Sequence, residues 1–342
     1  MSDLVKVALD AMGGDNAPGE IVKGVVEALN ESKDLFIYLV GKEEAVKNEL
    51  AKYKYDTSRV EIVDATETIE MAEHPVAAIR QKTDSSMVKA LKLVKSGECD
   101  AIVSAGNSGA LLVGGQLIVG RLKGVERAPF APLIPTEKGC SLLIDCGANV
   151  DAKPQHLLSF AKMGSIYVKN TLGIDKPKVA IVNIGAEEEK GNALVKDTFP
   201  LLKECKDINF IGSIEARDIP SGYADVIVCE AFVGNVILKL YEGTASTLVK
   251  VIKQGLMSTF ISKIGAALAK PALKKTLKTF TTEEYGGAPM LGLKGLVVKT
   301  HGNSKAVEVK NSLIQCITFK AQHINNQIQA QLRINEDVAE EK

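Results

Sequence analysis

The stretch DAIVSAGNSGALLVGG, residues 100–115, decides the expected fold. Its first part, residues 101–104, is a short apolar run typical of a buried strand, and residues 110–119 form an apolar segment of helical length. Between them, two glycines with Asn and Ser favour a sharp turn. A strand that leads through such a turn into a helix presents backbone N–H groups at the helix N-terminus, which suits phosphate. An ordinary tight turn without a ligand is the alternative. The candidate phosphate-binding residues of this turn are Ser104, Gly106, Asn107, Ser108 and Gly109.

The order of strand, loop and helix recurs along most of the chain. Apolar strand-like runs that precede helical segments lie at residues 5–9, 35–40, 60–63 and 179–182. This alternation predicts the α/β class, with a mainly parallel, doubly wound sheet and helices on both faces. The runs at 131–135 and 140–145 suit an antiparallel pair. We expect residues 1–335 to form one catalytic α/β unit, or two lobes around a cleft, followed by an acidic tail at 336–342.

Polar residues with glycine follow several of the predicted strands. Asp10 ends the first strand, and Asp145, Asn149 and Asn183 follow later ones. Because the carboxyl ends of parallel strands meet at one edge of a sheet, these loops are expected to form a cleft rich in hydrogen-bonding groups. We therefore include these four residues among the candidates for substrate binding.

The segment KTDSSM, which contains Lys82, Ser85 and Ser86, is a second candidate for anion binding. Lys82 offers a cationic side chain, and the serines precede an apolar helical segment. The alternative is that one serine only caps that helix. Just upstream, His74-Pro75 is expected to break any helix in this polar region.

Three further polar residues stand beyond predicted strands. Lys190 lies in the loop NIGAEEEKGN, Asn235 lies near the start of a helix that follows a strand, and His301 follows the last strand. The chain has four histidines, and His301 is the one that follows a predicted strand beside glycine and asparagine. It is therefore the best acid–base candidate among the histidines. A loop histidine with satisfied hydrogen bonds is the alternative.

Composition excludes several classes of function. Lys+Arg and Asp+Glu are both 42, Trp is absent and aromatic residues are 5%, so nothing indicates a nucleic-acid partner. The six cysteines form no C-x-x-C pair, which favours reduced, buried thiols in a cytoplasmic protein.

No signal peptide and no apolar run of about 20 residues is recognisable, so a membrane-spanning helix is not expected. Clustered His and Cys residues and a G-x-G-x-x-G motif are also missing, so neither a metal site nor a dinucleotide site is expected.

The character of the sequence changes at residues 243–282. This segment has seven lysines and no Asp or Glu, and its apolar residues follow helical spacing. Pro271 is expected to break the helix into a protruding amphipathic hairpin. Such a hairpin could pack on its own core or on a second subunit, or could lie on an anionic membrane or an acidic partner. The candidate contact residues are Leu256, Met257, Phe260, Ile261, Lys263, Lys274 and Lys275.

Taken together, these motifs closely resemble those of the bacterial phosphate acyltransferases of phospholipid synthesis. The resemblance covers essentially the whole chain. It implies a fold like that of isocitrate and isopropylmalate dehydrogenases, a homodimer, and a reaction without a cofactor or metal. The matching stretches are VALDAMGGDNAP (7–18), KTDSSM (82–87), DAIVSAGNSGAL (100–111), LLIDCGANVDAKP (142–154), NIGAEEEKGN (183–192), INFIGSIEARDI (208–219), GNVILK (234–239) and GLKGLVVKTHGNS (292–304).

The resemblance implies transfer of a fatty acyl group from an acyl-carrier-protein thioester to inorganic phosphate, which gives acyl phosphate for phosphatidic acid synthesis. Phosphate is then the nucleophile, so no protein nucleophile is needed. Lys190 and His301 are the implied sources of a proton or positive charge for the leaving thiolate, and Asn235 is implied to position the reacting groups. The implied partners are acyl-carrier protein, phosphate, a second subunit, the membrane surface and a membrane glycerol-phosphate acyltransferase. The implied location is cytoplasmic, peripherally associated with the membrane.

Three other functions are compatible with parts of the sequence. A phosphotransacetylase would use a coenzyme A thioester instead of the carrier protein. A dehydrogenase of the isocitrate type would bind a nicotinamide cofactor and a divalent metal. A non-enzymatic scaffold at the membrane surface would need none of the polar strand-end loops, which therefore disfavour it.

Overall fold

The computed structural model describes residues 4–278 and 285–340. Its strands alternate with helices along most of the chain, as the pattern of apolar runs predicts. The strands, in chain order, are β1 (Val5–Asp10), β2 (Leu35–Gly41), β3 (Val60–Asp64), β4 (Ala101–Ser104), β5 (Leu133–Thr136), β6 (Gly139–Ile144), β7 (Lys178–Val182), β8 (Asn209–Ile214), β9 (Val226–Val228), β10 (Ala288–Met290) and β11 (Leu296–Lys299).

The helices fill most of the segments between these strands. In chain order they are α1 (Gly19–Glu31), α2 (Glu43–Leu50), α3 (Pro75–Gln81), α4 (Ser86–Lys95), α5 (Ser108–Gly114), α6 (Pro154–Leu172), α7 (Ala193–Glu204), α8 (Ala231–Leu256), α9 (Phe260–Lys278), α10 (Ala306–Ala321) and α11 (Ile324–Glu340). The helix predicted at 110–119 is α5 continued by a π-helical turn, Gly115–Val119.

The chain divides into two compact units. Over the described residues, the first comprises Met1–Pro132, Lys162–Lys176 and Glu283–Lys342, and the second comprises Leu133–Ala161 and Pro177–Thr282. The prediction from the sequence allowed either a single unit or two lobes. The sequence does not distinguish these alternatives, because a pattern of strands and helices does not show which strands pair.

Each unit contains its own sheet. Among the residues that the structure describes, the first sheet has six strands in the order β10-β11-β4-β1-β2-β3, and the second has five in the order β5-β6-β9-β7-β8. These strands pair in parallel, except β10 with β11 and β5 with β6. The mainly parallel α/β class and the antiparallel pair near residues 131–145 are therefore confirmed, although the strands form two sheets rather than one.

Helices cover both faces of the first sheet. α1 packs against α10 on one face, and α4 and α5 contribute to the apolar core on the other. The central strands are buried on both faces, which is why they are nearly continuous apolar runs in the sequence. In register, Leu9 of β1 lies opposite Val103 of β4, and Ser104 of β4 lies opposite Lys299 of β11.

Two proline predictions are wrong. His74-Pro75 does not break a helix; Pro75 is the first residue of α3, where its missing N–H has no helical partner to lose. Pro271 lies inside α9, which continues through it. A helix can pass a proline when neighbouring residues keep their helical hydrogen bonds, at the cost of a local distortion.

The C-terminal tail and the predicted hairpin also differ from the prediction. α10 ends before His323, whose φ of 50° is left-handed, and α11 follows it. α11 continues to Glu340, so most of the predicted acidic tail is helical. α8 runs unbroken through Gly243, where the hairpin was expected to start, and residues 279–282 of that hairpin lie outside the described residues.

Candidate functional site

The predicted phosphate turn lies at the point where the first sheet reverses its strand order. From β1 the chain proceeds to β2 and β3 on one side, and β4 then pairs with β1 on the other side. In open α/β sheets, ligands bind outside the carboxyl ends of the strands at such a switch point. The loops after β1, β4 and β11 all leave the sheet at this edge, because these strands are parallel neighbours.

Asp10 is the buried centre of this edge, with 2% of its surface exposed. The hydroxyl of Ser86 donates to its Oδ1 at 2.6 Å, and the hydroxyl of Ser104 donates to its Oδ2 at 2.7 Å. Burial raises the pKa of Asp10, while the two hydroxyls, the N–H of Met12 and the charge of Lys299 act in the opposite direction. Asp10 therefore holds neighbouring elements together rather than facing a ligand.

Asp10 also orders the turn after β4, through its hydrogen bond with Ser104. The N–H of Gly106 donates to the Ser104 hydroxyl oxygen at 3.0 Å, so it is already used within the protein. Glycine is required opposite this turn, because a Cβ on Gly13 would lie 2.5 Å from Oδ2 of Asp10 and 2.7 Å from the Gly106 nitrogen. Of the predicted phosphate-binding residues, Ser104 and Gly106 thus shape the turn.

The next three residues carry the open donors. The side-chain oxygen of Asn107 caps α5 by accepting from Ala110 N–H at 3.0 Å, and its amide group donates to backbone carbonyls at positions 70, 71 and 73. In contrast, the backbone N–H groups of Asn107, Ser108 and Gly109 have no acceptor among the residues that the structure describes. The Ser108 side chain is exposed. These three N–H groups are the donors available to an anion.

Lys82 and Ser85 have structural partners instead. The Lys82 ammonium group donates to the Thr68 carbonyl at 2.7 Å and forms an ion pair with Glu73. The Ser85 hydroxyl oxygen accepts from Val88 N–H at 3.4 Å and so caps α4. Of the KTDSSM residues, the structure connects only Ser86 to the Asp10 cluster by a hydrogen bond, within the described part of the chain.

Two residues at the end of β11 complete this edge. His301 is exposed, and its Nδ1 lies 2.8 Å from the side-chain oxygen of Asn303. Lys299, which was not predicted from the sequence, is buried; its ammonium group donates to the carbonyls of Ala105 (3.2 Å) and Thr300. The available signal was a lysine as the last residue of an otherwise apolar strand, directly before Thr-His-Gly.

The second unit carries a similar cluster around Asp145. This buried carboxylate accepts from the backbone N–H groups of Gly147, Ala148 and Asn149 at 2.8–3.1 Å, and from the Asn149 side-chain amide at 2.7 Å. The amide of Asn235, which is exposed near the start of α8, donates to the Cys146 carbonyl at 3.1 Å. Asp145, Asn149 and Asn235 are therefore brought together, with Asp145 ordering the loop.

The loop after β7 places Lys190 at the surface. The buried Asn183 amide donates to the Lys190 carbonyl at 3.2 Å and to the Ser213 hydroxyl at 3.1 Å, which fixes the loop. The Lys190 ammonium group pairs with Glu187 at 2.8 Å, and this hydrogen bond raises the pKa of Lys190. Lys190 is thus a cation held by one acidic partner at the surface of its own unit.

The predicted membrane or carrier-protein segment is largely exposed. Phe260 and Ile261 are 79% and 82% exposed, Met257 is 52% exposed, and Leu256 is half-buried. Lys263, Lys274 and Lys275 are exposed as well. Within the described part of the chain, these exposed side chains do not pack on a core of their own. No helix in the described part of the chain is both long and apolar enough to cross a membrane.

Comparisons with known proteins agree on one family. A sequence model of the family described as fatty acid synthesis protein matches residues 5–327. A phosphate acyltransferase of Clostridium perfringens is 51% identical over 315 residues, which cover 92% of this chain and 93% of that protein. A phosphate acyltransferase of Clostridium botulinum is 49% identical over 325 residues, 95% of this chain and 98% of that protein.

A solved structure adds a likeness in fold. A phosphotransacetylase from Streptococcus pyogenes aligns with a TM-score of 0.58 at 18% identity, over 93% of this chain and 94% of that one. At this identity the likeness concerns the fold alone. The family match over most of the chain and the relatives near 50% identity decide the assignment: the chain belongs to the fatty acid synthesis protein family.

Proposed function

We propose that the protein transfers a fatty acyl group from an acyl-carrier-protein thioester to inorganic phosphate, which gives acyl phosphate and free carrier protein. Membership of a family whose curated members are named phosphate acyltransferases supports acyl transfer to phosphate. The observation that carries the proposal is the set of three backbone N–H groups, at residues 107–109, that lie at the switch point of the first sheet and have no acceptor within the described part of the chain.

Phosphate is the proposed ligand of these donors. Backbone N–H groups at the start of a helix attract anions because the helix dipole and the unsatisfied donors act together. The position of the donors is fixed by the Asn107 cap and by the Ser104–Asp10 hydrogen bond below the turn. A preorganised turn of this kind can hold phosphate without a metal ion or a cationic side chain in direct contact.

The proposed step needs no protein nucleophile. A phosphate oxygen attacks the thioester carbonyl carbon, the C–S bond breaks, and the leaving thiolate takes up a proton. Lys190 and His301 are the proposed sources of positive charge or a proton, and Asn235 is the proposed positioning group. Holding both substrates in place supplies much of the rate enhancement, because a bimolecular encounter becomes effectively unimolecular.

The partners of the proposed reaction follow from its chemistry. Acyl phosphate hydrolyses readily, so it has to pass rapidly to a membrane glycerol-phosphate acyltransferase. The protein is therefore proposed to be cytoplasmic and peripherally associated with the membrane. The exposed apolar and lysine-rich residues of α8 and α9 suit contact with an anionic membrane surface. Lysines also suit an acidic carrier protein. A homodimer is part of the same proposal.

The decisive experiment offers two acyl donors to the purified protein. Acyl-carrier-protein thioester or acyl-coenzyme A is mixed with phosphate, and acyl phosphate is trapped with hydroxylamine as the hydroxamate. We expect product from the carrier-protein thioester and none when phosphate is omitted. Greater product from acyl-coenzyme A would favour the phosphotransacetylase alternative. Absence of product from both donors, with a folded protein, would contradict the proposed function.

A further inference from the structure

His301 lies in a short turn that joins β11 to α10. The N–H of Ser304 donates to the His301 carbonyl at 3.0 Å and closes this turn. The side-chain amide of Asn16, in the loop after β1, donates to the carbonyls of Asn303 at 2.9 Å and Ser304 at 3.2 Å. The turn is therefore fastened to the neighbouring loop, and the backbone that carries His301 is held at this edge of the first sheet.

The same two loops approach each other closely at Gly14 and Gly302. The N–H of Asp15 donates to the Gly302 carbonyl at 2.7 Å. Gly14 has a left-handed φ of 94°, and a Cβ on this residue would lie 2.7 Å from the Gly302 oxygen. Glycine at this position therefore permits the contact that holds the histidine turn against the loop after β1.

One ring nitrogen of His301 is bonded within the turn. Nδ1 lies 2.8 Å from Oδ1 of Asn303, and an amide oxygen can only accept, so Nδ1 donates and carries the hydrogen. The Asn303 N–H lies 3.4 Å from the same nitrogen and would need the opposite tautomer, but this distance exceeds the usual length of an N–H hydrogen bond. Among the described residues, Nε2 has no hydrogen-bond partner, and the residue is exposed. The lone pair of the neutral ring is therefore on Nε2.

We propose that Asn303 is a positioning residue, which selects the tautomer of His301 whose Nε2 carries the proton of the reaction. The inference rests on the proposed function and assigns the proton transfer to one atom. A proton held on Nδ1 by an acceptor leaves Nε2 free to accept a second one. The opposite tautomer would present an N–H to the substrates, and the neutral ring could not act as a base there.

The proton balance of acyl transfer suits a single carrier. Hydrogen phosphate loses one proton as its oxygen bonds to the thioester carbon, and Nε2 accepts that proton. The C–S bond breaks with its electron pair on sulfur, and the thiolate takes the same proton from Nε2. The ring returns to its starting tautomer, so no further acid or base is needed for this step.

Two substitutions of Asn303 separate the role of its side chain from that of the turn. Asn303→Ala removes the acceptor but keeps the backbone carbonyl that binds Asn16, so we expect the turn to persist. Asn303→Asp keeps an acceptor oxygen. Asn326→Ala is the matched control, since Asn326 is an exposed asparagine of α11 in the same unit.

The first measurement is steady-state kinetics with saturating carrier-protein thioester and phosphate. We expect Asn303→Ala to lower kcat roughly tenfold and to leave the KM for phosphate unchanged, because the proton transfer and not binding is affected. Asn303→Asp should restore kcat to within about threefold of the wild type, since a carboxylate oxygen also accepts from Nδ1. Asn326→Ala should match the wild type.

The second measurement identifies the tautomer without any turnover. Nitrogen-15 NMR of protein labelled at the histidine rings, at a pH where the rings are neutral, distinguishes a nitrogen that bears hydrogen from one with a lone pair. His301→Gln identifies the His301 signals by their loss. We expect the hydrogen on Nδ1 in the wild type, in Asn303→Asp and in Asn326→Ala. In Asn303→Ala we expect a mixture of the two tautomers.

The two measurements keep this inference apart from the proposed function. If no acyl phosphate forms but the tautomer depends on Asn303, the selection of the tautomer stands and the proposed function fails. If acyl phosphate forms but kcat falls no further in Asn303→Ala than in Asn326→Ala, the positioning role is wrong and the proposed function stands. A hydrogen on Nε2 in the wild type, or one unchanged tautomer in Asn303→Ala, overturns the inference.

Discussion

Ser104 and Asp10 end neighbouring parallel strands and are joined by a hydrogen bond of 2.7 Å from the serine hydroxyl to Oδ2 of the carboxylate. The same serine oxygen accepts the N–H of Gly106 at 3.0 Å. The conformation of the turn therefore depends on a buried carboxylate below it. This arrangement separates two roles that the sequence placed together: Ser104 and Asp10 set the shape of the turn, and residues 107–109 present the donors.

Replacing Ser104 with alanine tests this division. The change leaves the buried Gly106 N–H and Oδ2 of Asp10 without that partner, which costs about 1–3 kcal/mol of stability. Because the turn loses its support, we also expect the KM for phosphate to rise roughly tenfold. Ser86→Ala is the control, since the Ser86 hydroxyl donates to the other oxygen of Asp10 and forms no hydrogen bond with the turn among the described residues. An equal rise in KM in both variants would show that loss of stability, rather than turn geometry, is responsible.

The raised pKa of Asp10 predicts how stability varies with pH. Burial raises the pKa of Asp10 in the folded protein above the ordinary value of 3.8. Between the ordinary pKa and the raised pKa, the folded protein therefore binds the proton more tightly than the unfolded chain does. The free energy of unfolding therefore falls as the pH rises through that window, by at most about 1.4 kcal/mol per pH unit. Asp10→Asn removes this contribution to the slope. Urea unfolding of both proteins from about pH 4 upward checks the slope; parallel curves would contradict it.

Much of the first sheet was predictable because its strands are buried on both faces. Such strands appear in the sequence as apolar runs, and the glycine-rich turn at 105–109 was visible between one run and the next. Pairing was not predictable, since the order β11-β4-β1 joins segments far apart in the chain, as in the Lys299–Ala105 contact, which spans 194 residues. Pairing also decides which loops are neighbours.

The site was predictable at the level of loops but less so at the level of atoms. A polar residue after a strand can bind a ligand or order its own loop, and the sequence does not distinguish the two. Asp10 and Asp145 are enclosed by protein donors, whereas Ser108 is exposed. Lys299 was missed because a lysine at the end of a strand usually lies in solvent, and its burial depends on carbonyls contributed by the neighbouring turn.

Two substitutions of Asn107 test the capping and the phosphate binding at this turn. Asn107→Ala removes both the cap of α5 and the three bonds to carbonyls at positions 70, 71 and 73. Asn107→Asp keeps the capping oxygen, but it replaces the amide donor with a carboxylate oxygen that faces the same three carbonyls, so it should cost at least as much stability as Asn107→Ala. The aspartate also adds a negative charge beside the proposed phosphate and should raise the phosphate KM roughly tenfold more than alanine does. Urea unfolding and phosphate kinetics measure the two effects. An equal phosphate KM in the two variants would place phosphate away from this turn.

Lys190 offers a test of charge in the reaction. Lys190→Ala should lower kcat roughly 10²-fold if the ammonium group stabilises the transition state. Glu187 raises the pKa of Lys190, so Glu187→Gln should move the alkaline loss of activity to lower pH. Lys203→Ala is the control, because Lys203 forms a comparable exposed ion pair with Glu188 in the same region. A loss of kcat of tenfold or less in Lys190→Ala would make Lys190 peripheral to the reaction.

His301→Ala is expected to lower kcat by the same roughly 10²-fold.

The exposed apolar residues of α9 lead to the last prediction. Phe260 is 79% exposed, and lysines without acidic neighbours in sequence follow it at positions 263, 270 and 274. A membrane contact needs the apolar side chains as well as the charge, since buried apolar area contributes about 25 cal/mol per Å². Docking of an acidic carrier protein depends more on the lysines and weakens strongly with salt. The two partners therefore respond to different substitutions.

Phe260→Glu should release the protein from anionic vesicles, because it places a charge where an apolar ring would insert. Acyl transfer between soluble substrates should continue at a rate within about twofold of the wild type, a change of roughly 0.4 kcal/mol. Val307→Glu is the control, since Val307 is an exposed apolar residue of α10, outside this segment, and receives the same charge. Vesicle flotation and analytical ultracentrifugation are the measurements. Vesicle binding that persists in Phe260→Glu would remove the membrane role. Dissociation of a dimer in Phe260→Glu but not in Val307→Glu would instead place these apolar residues between two subunits.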